Sequence, residues 1–78
     1  MPFFVNQKQR KNEAWNNNVH VKETINEALH QFHAFMSTYA YGQDKAVDYA
    51  SCSVETIDGR IVKSEVDDRI PAPEPEEE

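Results

Sequence analysis

Apolar residues recur at helical spacing in one stretch and alternate with polar ones on both sides of it. Between Thr24 and Gly42, Ile25, Ala28, Leu29, Phe32, Phe35, Met36 and Tyr39 fall at three- and four-residue steps, which gathers them on one stripe of an α-helix. Thr24 followed by Glu27 fits a capping box, with hydroxyl to the Glu27 amide and carboxylate back to the Thr24 amide. Gly42 supplies the left-handed residue that commonly ends a helix.

Ahead of the helix, residues 3–10 alternate loosely, with Phe3, Val5, Gln7 and Gln9 on one face and Phe4, Asn6, Lys8 and Arg10 on the other. Residues 14–21 put Trp15, Asn17, Val19 and Val21 together. With Lys11-Asn12-Glu13 as the turn, Phe3 meets Val21, Val5 meets Val19 and Gln9 meets Trp15, so the apolar faces agree and a β-hairpin is coherent. The Asn16-Asn17-Asn18 run is poor strand material and predicts a short or bulged second strand.

After the helix, a loop from Gly42 to Lys45 leads into a strand from Ala46 to Thr56. Ala46, Ala50, Cys52 and Val54 share its core face, and Val47, Tyr49, Ser51, Ser53 and Glu55 the outer one. A last strand runs from Arg60 to Asp68 with Val62, Ser64 and Val66 together. A two-residue Asp58-Gly59 turn would set Val54 against Lys63 and mix charge into both faces. A three-residue loop, Ile57-Asp58-Gly59, pairs Thr56 with Arg60, Val54 with Val62, Cys52 with Ser64 and Ala50 with Val66. That loop is a type I turn closed by a left-handed glycine, and it sorts the faces.

The expected architecture is therefore α+β, a two-layer sandwich in ββαββ order, over residues 1–70. One amphipathic helix packs on one face of an antiparallel four-stranded sheet. A helix about 10 Å across cannot cover four strands spaced about 4.8 Å apart. The opposite face, carrying Phe4, His20, Tyr49 and Ile61, is either wet or meets a partner. Residues 71–78, Pro-rich and ending in Glu74, Glu76, Glu77 and Glu78, read as an extended or disordered acidic tail. It serves either as a solubilising terminus or as a docking tail for a basic partner.

Composition narrows the function classes. The 78 residues carry 14 acids and a net charge of −6; four of the acids lie in the tail, leaving ten against eight bases over residues 1–73. That balance lacks the basic stripe nucleic acid demands. An outer face mixing Lys8, Arg10 and Lys63 with Glu55, Glu65 and Asp67 speaks the same way. No apolar run approaches the roughly 20 residues that span a membrane. The basic residues of the first eleven follow the short apolar run, the reverse of a signal peptide. One cysteine cannot form an internal disulfide and fits a reducing, cytoplasmic setting.

Chemistry-bearing residues do not assemble. His30 lies nearly opposite the apolar stripe, His33 on its flank, and His20 on a separate strand, so two solvated histidines are expected rather than a metal site. Cys52 lies mid-strand on the core face with no adjacent base or helix N-terminus to activate it. Neither a nucleophile-elbow sequence nor a glycine-rich phosphate loop exists among two glycines. No enzyme activity, cofactor, metal or small-molecule substrate is expected. Tyr41 falls past the helical stripe, either as an exposed interface anchor or folded back on the core edge. Asp67-Asp68-Arg69 reads as a solvated charge cluster with a local ion pair worth under ~1 kcal/mol.

The helix ALHQFHAFMSTYAYG, the following VDYASC, and VDDRI before a Pro/Glu tail together resemble small acidic proteins encoded by tailed bacteriophages and prophages of gut bacteria. The resemblance spans most of the chain, through segments none of which is a diagnostic motif. It implies a setting only: an accessory factor made inside a bacterial host, or carried in a virion. A non-catalytic interaction module is thus expected, with a protein partner or self-association engaging Phe4, Tyr41, Tyr49, Ile61 or the acidic tail. The alternative is an inhibitor that mimics nucleic acid to block a host defence or polymerase protein, which needs carboxylates arrayed on the folded surface.

Overall fold

A computed structural model describes residues 1–71. Apart from Pro71, the expected tail with Glu74, Glu76, Glu77 and Glu78 lies outside the described residues. Strands β1 (Phe3–Lys11), β2 (Ala14–Lys22), β3 (Val47–Thr56) and β4 (Ile61–Asp68) form one antiparallel sheet in the order β2-β1-β3-β4, with α1 (Ile25–Tyr39) between the two hairpins. The expected ββαββ architecture is the one observed.

The helix packs over the central strands β1 and β3. Ala28, Phe32, Phe35 and Met36 are buried against Val5, Val47, Ala50, Cys52 and Val54, with Phe3, Ile25, Leu29 and Tyr39 around them. Fully burying side chains of the size of Phe32 or Val54 contributes roughly 1.5–3 kcal/mol each. At the helix start, the Glu27 amide donates to Thr24 Oγ1 (3.2 Å), as expected, but the Glu27 carboxylate accepts from the Thr24 hydroxyl (3.0 Å) rather than from its amide. At the other end the helix stops at Tyr39, before Gly42. Buried Ala40 leaves in extended backbone, and Tyr41 (φ 57°) and Gly42 (φ 82°) form a tight turn closed by Gln43 N–H to Ala40 O (3.1 Å).

Both hairpins depart from the expected register. In the first, Asn12 (φ 50°) and Glu13 (φ 66°) alone make the turn, so Phe3 faces Lys22, Val5 faces His20 and Arg10 faces Trp15. A two-residue turn with both φ positive follows the right-handed twist of its strands, which the three-residue loop does not need to do. The cost is about 1–2 kcal/mol for a glutamate in the left-handed region. The one-residue slip sends Trp15, Val19 and Val21 to the face away from the helix and brings His20 to the helix side. β2 is neither short nor bulged despite its asparagines.

In the second hairpin the three-residue loop does form: Gly59 has φ 84°, Thr56 N–H donates to Arg60 O (2.9 Å) and Gly59 N–H to Thr56 O (3.0 Å). The expected pairing holds only there. Glu55 faces Ile61 but Val54 faces Lys63, so Val62 is an extra residue, and Cys52 and Ala50 then meet Glu65 and Asp67. Val62 and Val66, expected in the core, are exposed. The physical reason is the width of the helix, which leaves the helix side of β4 at a wet margin where charges are tolerated. Lys63 lays its ammonium 5.4 Å from the centre of the Phe32 ring there. A further irregularity sets Tyr49 against Arg10 and Val47 against Lys11, which turns Val47 (1% exposed) into the core instead of outward. Asp48, skipped by that pairing, meets Arg10 at 3.1 Å.

A candidate interaction surface on the open sheet face

On the side away from α1, the ladder pairings lay out four rows of side chains. They read Trp15–Arg10–Tyr49–Asp68, Asn17–Lys8–Ser51–Val66, Val19–Asn6–Ser53–Ser64 and Val21–Phe4–Glu55–Ile61. The two middle rows are short and polar, and they floor a shallow trough of about 320 Å3 lined by Asn6, Lys8, Asn17, Ser51, Ser53 and Ser64, with Val19 and Val66 at its ends. Beside it, in the end rows, stand Trp15, Val21 and Ile61, all exposed. Val19 and Val66 keep 59% and 58% of their surface in water, far more than a β-branched residue has on a packed face.

The charged members of this face are occupied locally. Arg10 pairs with Asp48, Glu55 accepts from Asn6 Nδ2 (2.7 Å), and Asp68 accepts from the Ile70 amide (3.1 Å). Lys8 lies 4.8 Å from the Trp15 ring centre and 5.9 Å from that of Tyr49, and the two rings meet edge to face at 5.1 Å. Such cation–π contacts contribute about 0.5–1 kcal/mol at an exposed site. The result is a face with little net field and apolar corners. Carboxylates elsewhere are also engaged: Asp44 with Lys11 (3.1 Å) and Asp67 with Arg69 (2.9 Å), the latter being the ion pair expected of that cluster.

The expected interaction residues do not form one site. Phe4 and Ile61 flank Glu55 in one row, whereas Tyr49 stands six positions along β3 from Glu55, about 20 Å away. Tyr41 belongs to the helix side: its amide donates to Asp67 (2.7 Å) and its hydroxyl to Glu65 (2.5 Å), both on the helix face of β4. Its side chain is nonetheless exposed, so it is a latch between the end of α1 and β4 rather than a lid on the core. That hydrogen bond, with lesser help from desolvation and the nearby charge of Glu65 and Asp67, raises the phenol above its ordinary pKa. Lys63, Glu65 and Asp67, expected on the outer face, lie on the helix side.

Trp15, Val19, Val21 and Val66 are the members that the apolar pattern assigns elsewhere. A two-residue loop containing Asn12 was the available signal, since such loops are the commonest hairpin connections, but Glu13 is an unusual residue for its second position.

At the start of α1 an open hollow of about 410 Å3 is lined by Lys22, Asn26, Glu27, His30 and Gln31. Cys52 is buried and its thiol is pushed up to about 11 by that burial, which keeps it protonated and inert at neutral pH. His30 and His33 are exposed on the solvent side of α1, and His20 is half-buried on β2. Among the described residues no three His, Cys, Asp or Glu side chains converge as metal ligands, and no helix is long and apolar enough to cross a membrane. Searches of protein-family models, curated proteins and solved structures find no match to this chain, so the geometry stands on its own.

Proposed function

We propose that this protein is a non-catalytic interaction module whose working surface is the open sheet face, and that it serves as an accessory factor in a bacterial host. One observation carries the reading. The large apolar side chains that the fold leaves bare on that face, Trp15, Val19, Val21, Ile61 and Val66, all belong to its two outer strands and lie in or beside a shallow trough. Covering such surface returns about 25 cal/mol per Å2, and nothing in the described chain collects it. The locally matched charges favour a protein partner over a polyanion or a polycation. The setting is supported by the resemblance to phage and prophage proteins alone.

The test is affinity capture from bacterial lysate with the intact chain and with the double variant Ile61→Ser/Val66→Ser, each checked for its thermal midpoint. Specific retention by the native chain, lost in the variant at an unchanged midpoint, is the expected result. Equal retention by both, or none by the native chain, contradicts the reading.

A further inference from the structure

The sheet has two edges, and they differ in kind. β4 carries the devices that keep foreign strands away: the extra residue Val62, which bends the strand, and the charged Lys63, Glu65 and Asp67 on its helix side. β2 runs nine residues in unbroken pairing with β1 and holds no proline. From Ala14 to Val21 it has no Lys, Arg, Asp or Glu. Among the described residues, no other element covers its outer edge.

The hydrogen-bonding direction of that edge follows from the turn. A two-residue loop closes on Lys11 and Ala14, which exchange both backbone bonds, and the antiparallel alternation then points the N–H and C=O of Trp15, Asn17, Val19 and Val21 outward. The same four residues place their side chains on the open face.

We propose that β2 pairs with β2 of a second copy, antiparallel about a two-fold axis perpendicular to the sheet that passes midway between the two copies of Asn18, giving one continuous eight-stranded sheet. Such an axis keeps both helices on one side, so open-face residues meet only open-face residues. Centred on Asn18, all nine residues pair: Trp15 faces Val21, Asn17 faces Val19, and Asn18 faces itself. Centring on Asn17 or Val19 also joins outward groups, but it shortens the seam and sets Val21 against Glu13 or Trp15 against Glu23. The strand complements its own reverse, and a chain of net charge −6 brings no formal charge to the middle of the seam. The dimer goes beyond the interaction-module reading because it uses the edge rather than the face. It also joins two open faces into one surface twice as wide.

Light scattering of the full chain at high micromolar concentration tests it, with a dimer expected. Asn18→Asp sets two carboxylates opposite each other on the axis and should raise the dimer dissociation constant at least tenfold (~1.4 kcal/mol) while leaving the thermal midpoint of the dilute chain in place. Asn18→Cys should close an intermolecular disulfide on mild oxidation, because Cα atoms of an unbonded antiparallel pair lie about 4.5 Å apart, within bridging range. Asn16→Cys or His20→Cys alone should not, since each of those positions faces the other. A monomer at high micromolar concentration overturns the proposal. So does a dimer indifferent to Asn18→Asp, or one that Asn16→Cys cross-links as readily as Asn18→Cys. None of these readouts depends on Ile61 or Val66, so failure of the face and failure of the edge are separate results.

Discussion

The two faces of this sheet carry inverse patterns. On the helix side the central strands carry Phe3, Val5, Ala50, Cys52 and Val54 beside Gln7 and Gln9, and the outer strands are polar, with Asn16, Asn18, His20, Lys63, Glu65 and Asp67. On the open side the two middle rows of the central strands hold Asn6, Lys8, Ser51 and Ser53, with Phe4 and Tyr49 in the end rows, and the outer strands hold Trp15, Val19, Val21, Ile61 and Val66 among Asn17, Ser64 and Asp68. The first pattern follows from the width of one helix, which keeps water off two strands and no more. The second has no such internal cause. Apolar residues beyond the reach of α1, the covering element among the described residues, are the observation on which the proposed interaction surface rests.

Substitutions that separate the two faces should rank accordingly. Phe32→Ala, at the centre of the helix side and fully buried, should cost about 3–5 kcal/mol, enough to unfold much of so small a domain, as read from urea denaturation. Cys52 should give the native chain a pH slope. Its thiol proton is held in the folded state up to about 11 against 9.0 without burial. Stability therefore falls as pH rises from the lower value through the upper one, and Cys52→Ala should remove that part of the slope.

Among the described residues Gln7 is the one buried polar side chain, and its Nε2 has no hydrogen-bond partner there. Gln7→Met should therefore stabilise by about 1–2 kcal/mol, and a loss of stability would show that the amide is satisfied after all. On the open face, Val66→Ser should change stability by less than about 0.5 kcal/mol. A cost near that of a buried valine would place it in a core and erase the contrast.

How far the sequence discloses this depends on which force decides each element. The helix, its stripe from Ile25 to Tyr39 and its Thr24 cap were legible because burial and local capping favour the same segment. Strand order along the chain was legible for the same reason. Register was not, because matching apolar faces looks like the rule when every apolar residue is assumed to need this chain's own core. Val19 and Val62 break that assumption, since the helix is too narrow to reach the faces of β2 and β4. The turns then decide: left-handed Asn12-Glu13 slips one hairpin by a residue, and the extra Val62 slips the other. The candidate surface was legible only in Phe4, Tyr49 and Ile61. Tyr41 followed the acidic rim of β4, a contact set by the turn after Ala40 rather than by helical periodicity.

The seven valines of the chain sample both faces, so their methyl groups give the most direct measurement. With valine-methyl labelling and a soluble paramagnetic gadolinium chelate, the methyls of Val5, Val47 and Val54 should keep their signals, and those of Val19, Val21, Val62 and Val66 should be broadened. Protection of Val62 and Val66 together with broadening of Val47 would restore the face-matched register and contradict an open apolar face.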